Sequence, residues 1–401
     1  MPGENSQSIF RNQDIILISN QMLEDRYWTS KQYITQELKK RNRVLYVEAN
    51  YSFGKLLMGI LGKGWPIRPF GKLYQQDENL WVLTPLPRLP LRNHLYFIGR
   101  LNQSLLKWKI RSALKRIEME KTILWTFLHQ TADLIGAFDE KVAIYHCVDD
   151  WPERLAMEKM GSYALVERDE NALLKKVDVT FRVSEILLQG REGVGSPVHL
   201  APNGVDIDLF HLNREGGFKK PQDMADLNGP VLGFAGSLGE WVDVDLIIQV
   251  AQEFPTASIV LIGQVDRQEM LSRLLANKNI HYLGMKPRTQ VPDYLNNFDL
   301  CLMPFAKNRI GQGLMPLKMF QYLAMGKPIV ATASPPLQPF RDVIELAEEP
   351  EDFILKTRDL LEERPGQNII EARISRAESF SWSERINHYS EIVSNILSNK
   401  N

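Results

Sequence analysis

Lys318 stands near the start of PLKMFQYLAMGKPIVAT, a stretch from Pro316 that reads as a helix, a Gly-ended turn and a buried strand. A cation at a helix N-terminus adds to the positive end of the macrodipole and is slightly destabilising unless an anion lies beside it. Pro316 fits the first helical position, where its missing N–H would have been unpaired anyway. The free N–H groups of the first turn and the Lys318 ammonium then describe a site for a phosphate-like anion. The bland alternative is a solvated lysine, and three other strand ends weigh against it. GFAGSLGEW closes one apolar run with Gly236 and Ser237, small residues that let the backbone approach a phosphate. HYLGMKPRT closes another with Met285 and Lys286. LMPFAKN closes a third with Phe305, whose ring either stacks on a ligand or fills the core.

A second kind of chemistry is written into AIYHCVDDWPER. A carboxylate delivered by this strand can take the proton of a hydroxyl that attacks an electrophilic carbon. Asp149 and Asp150 are the candidates, and either can instead cap the helix entered at Trp151, Pro152 and Glu153, a role that suits Asp150 better. His129, ending WTFLHQ, is a rim candidate that reads better as a hydrogen-bonded structural histidine. Two D-x-D pairs, Asp206 with Asp208 and Asp243 with Asp245, have the spacing of a divalent-cation site. One falls in a turn and the other opens a helix, where acids serve capping and the dipole. The Lys318 helix end can stabilise a departing anion in a metal's place, so no metal is expected.

Parallel strands are what would bring these residues together. DIILISN, RVLYVEAN, LWVLTPL, KTILWTFLHQ, VAIYHCVDD and VDVTFRVS alternate with helical segments, and the pattern restarts with VLGFAGSL, SIVLIG, IHYLGM, DLCLMPF and PIVAT. Such alternation predicts α/β units with parallel sheets covered on both faces. Between the halves, Pro202, Asn203 and Gly204 supply turn chemistry. The expected architecture is two Rossmann-like domains, 1–204 and 205–375, facing across a cleft, with a C-terminal helix, 376–401, returning to the first. Ligands of open α/β sheets bind outside the carboxyl ends of the strands, so the cleft is the expected active site.

PNGVDIDLF, FAGSL, YLGMKPRTQVPDYLNNFDLCLMPF and PLKMFQYLAMGKPIVAT, in that order, resemble a GT-B fold glycosyltransferase that uses a nucleotide-diphosphate sugar. The likeness covers essentially the whole chain. It is strongest to bacterial exopolysaccharide and teichuronic-acid type transferases, including the xanthan glucuronosyltransferase. The resemblance implies that Gly236, Ser237, Lys318 and Gln321 contact the diphosphate and ribose, that Met285 lies near the base, and that Asp149 is the catalytic aspartate. It also implies a UDP-sugar donor, no separate cofactor, and a glycan or polyprenyl-diphosphate-linked acceptor in cell-surface polysaccharide synthesis. Many retaining members carry two glutamates seven residues apart on this loop and helix, where this chain has Gly313 and Gln321. Inversion is therefore expected, with retention the nearest alternative. A UDP-sugar 2-epimerase and a non-catalytic nucleotide-sugar-binding protein are the rivals from other classes.

The chain has 401 residues, 44% of them hydrophobic, with a formal net charge of −1. That length suits two to three domains. Cys147 and Cys301 fall far apart in apolar runs, as reduced buried thiols would, and no leader or spanning segment is read at the start. A cytoplasmic protein is expected. Residues 51–116 hold twelve Lys and Arg against two acids, a face suited to an anionic membrane surface rather than nucleic acid. Within it, Leu95, Ile98, Leu101, Leu105, Trp108 and Ala113 trace an apolar helical stripe with Arg100, Lys107, Arg111 and Lys115 mostly off it. This helix either faces the core or lies in a membrane interface, with the protein peripheral on the inner face.

Overall fold

Val, Ile and Leu crowd the short apolar runs of both halves, and almost every run forms a strand with parallel neighbours, the arrangement that buries a sheet on both faces. The computed structural model describes residues 9–25, 27–49, 60–61, 70–89, 96–157, 162–191, 193–211, 217–363 and 365–398. The chain divides into two compact units: residues up to 202 together with those from 385 onward, and residues 203–384.

In the first unit the strands are β1 (Asp14–Ile18), β2 (Arg43–Val47), β3 (Leu73–Asp77), β4 (Leu80–Leu83), β5 (Ile123–Thr126), β6 (Val142–Cys147), β7 (Val179–Arg182) and β8 (Val198–Leu200). They are ordered β3-β4-β2-β1-β5-β6-β7-β8. All pair in parallel except β3, which forms a hairpin with β4. This edge strand, LYQQD, is mostly polar, which is why no apolar run announced it. Helix α1 (Ser30–Lys39) opens with a capping box in which Thr29 and Gln32 satisfy each other's backbone N–H groups. Helix α2 (Tyr96–Ile117) lays Leu106, Ile110, Ala113 and Leu114 on a core built by β1, β2 and β5. The stripe expected from the sequence is thus two faces: Ala113 goes inward, whereas Leu101 and Trp108 are exposed. Leu95, Arg92 and most of 51–69 lie outside the described residues. Helices α3 (Trp151–Met157) and α4 (Tyr163–Leu174) follow β6.

The second unit has β9 (Val231–Ala235), β10 (Ser258–Ile262), β11 (Ile280–Gly284), β12 (Leu300–Met303), β13 (Ile329–Thr332) and β14 (Glu345–Ala347), all parallel, in the order β11-β10-β9-β12-β13-β14. Helices α5 (Val244–Glu253), α6 (Leu317–Ala324), α7 (Pro350–Glu362) and α8 (Gln367–Glu378) surround it. Arg373 on α8 donates to the carbonyls of Val343 and Gly326, 3.0 and 3.5 Å away, which ties this helix to the second unit. Only with Arg385, inside the last helix α9 (Trp382–Ser398), does the chain rejoin the first unit. Tyr389 does the anchoring there. Its ring lies 4.9, 5.7 and 6.1 Å from those of Phe181, His146 and Trp125, and its hydroxyl donates to the Pro202 carbonyl at 3.0 Å. Burial in this aromatic cluster, with the Lys31 charge adding to it, pushes the His146 pKa down to about 3.

Candidate active site

Strand order in the second unit reverses between β9 and β12, so a crevice lies outside their carboxyl ends. Helix α6 borders it. Tyr322, fully buried, accepts from the Ala235 N–H at 2.8 Å and so fixes α6 against the last residue of β9. One residue on, Gly236 takes φ +150°, and a Cβ placed there would meet Lys318 Nζ at 2.5 Å and Cε at 2.6 Å. The glycine is required by its backbone, and the Lys318 side chain lies where a Cβ would stand. Tyr282 holds the next turn by donating to the Gly263 carbonyl at 2.8 Å, and Gly263 in turn donates to Gly284 at 3.0 Å. Three successive strand ends are therefore stitched together around the Lys318 end of α6.

Pro316 is the N-cap of α6 rather than its first helical residue, one position earlier than the sequence suggests. Its missing N–H is harmless in either place, and the amides of Leu317 and Lys318 still have no carbonyl one turn back. The Lys318 residue keeps some accessible surface, but its ammonium lies 3.5 Å from the centroid of the Phe234 ring and 5.7 Å from that of Phe305. It makes no hydrogen bond or ion pair among the described residues, and burial pushes its pKa well below the lysine range. A desolvated cation facing aromatic rings, with no acid, is in deficit of negative charge.

The other candidates in this unit fall into three groups. Gly236 and Ser237 lie partly exposed at the end of β9, and Gln321 lies one turn beyond Lys318 on the same helix face, also partly exposed. Met285 follows β11 and is half-buried. Phe305 is only 1% exposed; its N–H donates to Thr332 Oγ1 at 3.1 Å, so it packs beneath Lys318 as core and offers no open stacking face. Lys286 is paired with Asp223 at 2.5 Å and set 5.0 Å from the Tyr294 ring. The loop before α6 is held by Asn308, which accepts from Gly311 N–H at 2.8 Å and donates to the Glu240 carbonyl at 2.8 Å. Asn203 donates to Met315 O at 2.6 Å. Both D-x-D pairs have other work: Asp206 caps a short helix and meets Arg288 at 2.7 Å, while Asp243 caps α5.

Ser334, just past β13, was missed by sequence reasoning. Its hydroxyl is buried and has no hydrogen-bond partner among the described residues. The only sequence signal is a lone Ser in ATASPP, indistinguishable from turn chemistry.

In the first unit, β5 and β6 end side by side. Asp150 Oδ1 accepts from the Glu153 N–H at 3.3 Å and so caps α3, as its position suggested. Asp149, half-buried, stands one residue nearer the strand. Its backbone carbonyl accepts from Cys147 Sγ at 3.5 Å. His129 is buried instead of rimming the site, with its ring 5.3 Å from Trp151. Below Asp149, Tyr145 and Arg191 both bond the buried Glu170 carboxylate. Burial pushes Glu170 up, and the Arg191 charge pulls it partly back. Burial also keeps Cys147 a thiol.

Residues 229–363 match the family described as glycosyl transferases group 1. The second unit carries a group 1 glycosyltransferase domain. A Bacillus subtilis (strain 168) protein named as a teichuronic acid biosynthesis glycosyltransferase, TuaH, is 26% identical over 285 residues, covering 66% of this chain and 70% of its own. Among solved structures, a sucrose-phosphate synthase from Thermosynechococcus elongatus aligns over 97% of this chain and all of its own, with TM-score 0.70 and 13% identity. Anabaena HepE, solved with UDP, aligns over 96% of this chain and all of its own, with TM-score 0.61 and 15% identity. Alongside the glycosyltransferase domain, the chain has the GT-B fold. The Lys318 crevice lies inside the matched domain, and Asp149 lies outside it.

Proposed function

We propose that this glycosyltransferase moves a sugar from a nucleotide-diphosphate sugar, with UDP as the nucleotide, to a glycan or polyprenyl-diphosphate-linked acceptor in cell-surface polysaccharide synthesis. The observation that carries the reading is the Lys318 ammonium, desolvated and without an ion pair or hydrogen bond among the described residues, beside Gly236 at the end of β9. A diphosphate supplies the missing charge. As the bond to the anomeric carbon breaks, negative charge grows on the departing diphosphate, and preorganised donors stabilise it most at that moment. Lys318 and the first amides of α6 are such donors. Ser237 adds a hydroxyl, Gln321 reaches the ribose, and Met285 borders the base.

Asp149 takes the proton of the acceptor hydroxyl as its oxygen attacks, which gives inversion in a single displacement. Neither Gly313 nor Gln321 offers the carboxylate that many retaining members place there. The engagement of Asp206 and Asp243 as helix caps supports a reaction without a metal. TuaH, named for teichuronic acid synthesis, and HepE, solved with UDP, support the donor and acceptor classes.

A panel of nucleotide sugars, read first by thermal shift and then by slow hydrolysis of the donor, tests the proposal. One UDP-sugar is expected to raise the melting temperature and to be hydrolysed without acceptor. No shift with any nucleotide sugar would overturn the reading, and binding without turnover would mark a non-catalytic nucleotide-binding protein.

A further inference from the structure

Ten large apolar side chains are exposed among the described residues, and six of them, Ile60, Leu61, Phe70, Phe97, Leu101 and Trp108, fall between residues 60 and 108. On α2, Phe97, Leu101 and Trp108 are 67, 47 and 60% exposed. At about 100° per residue they share an arc of about 40°. This face is opposed to the one that Leu106, Ile110 and Ala113 bury in the core. Phe70 belongs to the same neighbourhood, because a Cβ on the following Gly71 would lie 3.2 Å from Lys109 Cε. Around the apolar strip, α2 carries Arg100, Lys107, Lys109, Arg111, Lys115 and Arg116 and no acid at all. Arg111 is turned back to the Ala137 carbonyl, and Arg100 lies 3.6 Å from Asp133. Lys107, Lys115 and Arg116 make no ion pair among the described residues.

We propose that this face of α2 docks on an anionic lipid surface, with Phe97, Leu101 and Trp108 entering the headgroup layer and the flanking cations meeting the lipid charges. Aromatic and aliphatic side chains between rows of Lys and Arg are the pattern of an interfacial helix. Charge decides against a second copy as the occupant, since pairing two such faces would bring two acid-free basic helices together. No helix among the described residues is long and apolar enough to cross a membrane, so attachment through this face would be peripheral. Only the suggestion that it carries the enzyme to a lipid-linked acceptor rests on the function proposed above.

The full chain is sedimented with vesicles of phosphatidylcholine, alone or mixed with phosphatidylglycerol, at low and high salt. Binding to the anionic vesicles alone, weakened by salt, is expected. Lys107→Gln with Lys115→Gln and Arg116→Gln should lower the partition coefficient about 100-fold, at roughly fivefold per cation. Phe97→Ser with Leu101→Ser and Trp108→Ser should abolish sedimentation, and UDP thermal shifts on the same variants show that the nucleotide site persists. The charge triple changes only surface side chains and keeps the test valid if the apolar triple misfolds. Absence of binding by the wild type, binding indifferent to lipid charge, or binding unchanged in the charge triple overturns the proposal. So does a dimer dissolved by these substitutions without any vesicle binding. A failure of UDP to bind the wild type would instead remove the functional reading and leave the vesicle result standing.

Discussion

Asp149→Asn is expected to lower the rate of sugar transfer by about 10²–10⁴ while leaving UDP affinity unchanged. The amide keeps the shape of the carboxylate and loses the basic lone pair that receives the hydroxyl proton. Donor binding should survive because Asp149 belongs to the first unit, whereas Gly236 and Lys318 belong to the second. Asp150 provides the internal comparison. Its carboxylate is occupied at the N-terminus of α3, so Asp150→Asn retains an acceptor oxygen for the Glu153 N–H and should change the rate far less. Steady-state rates with saturating donor, together with a UDP titration of each variant, separate the two residues. A wild-type rate in Asp149→Asn would move the base elsewhere on this strand end.

Replacing Lys318 by methionine should weaken UDP binding roughly 10- to 150-fold, the value of a charge-assisted bond at about 1.5–3 kcal/mol. The same substitution is expected to leave folding stability unchanged or slightly raised, because it exchanges an unpaired desolvated ammonium for an apolar side chain of similar length. Proton linkage follows from the depressed pKa. An unfolded chain binds more protons at this lysine than the native state between the depressed pKa and the ordinary value near 10.4, so its contribution to native stability rises with pH through that window. The diphosphate acts in the opposite sense by restoring the charged form. Binding above the depressed pKa should therefore take up a proton, and affinity should fall as pH rises, by up to about tenfold per unit. Calorimetry in buffers of different ionisation enthalpy measures this uptake, which should vanish in Lys318→Met.

Much of the fold that carries the proposed site was legible because its parts follow local rules. The strands announce themselves as β-branched runs, and open parallel sheets place ligands at strand ends. The cation at the head of α6 stood out in the sequence because it opposes its own helix dipole. What escaped depends on packing that no local pattern encodes. Phe305 stands at a strand end like Ser237, but its ring is buried in the core cluster of the second unit, which no local pattern announces. Nothing local announces the ion pair of Lys286, whose partner, Asp223, is 63 residues away. Helix α2 carries apolar residues on two faces, and periodicity alone cannot say which one the sheet covers. The polar strand β3 and the late return of α9, at Arg385, were likewise set by tertiary partners.

The central claim is that the crevice beside Lys318 holds a diphosphate. Titration of the full chain with UDP and with UMP tests it most directly, since the two differ by the phosphate that the ammonium is proposed to meet. UDP should bind at least about tenfold more tightly than UMP, and the ratio should collapse toward one in Lys318→Met. Equal affinities in the wild type, or a ratio untouched by the substitution, would contradict the account.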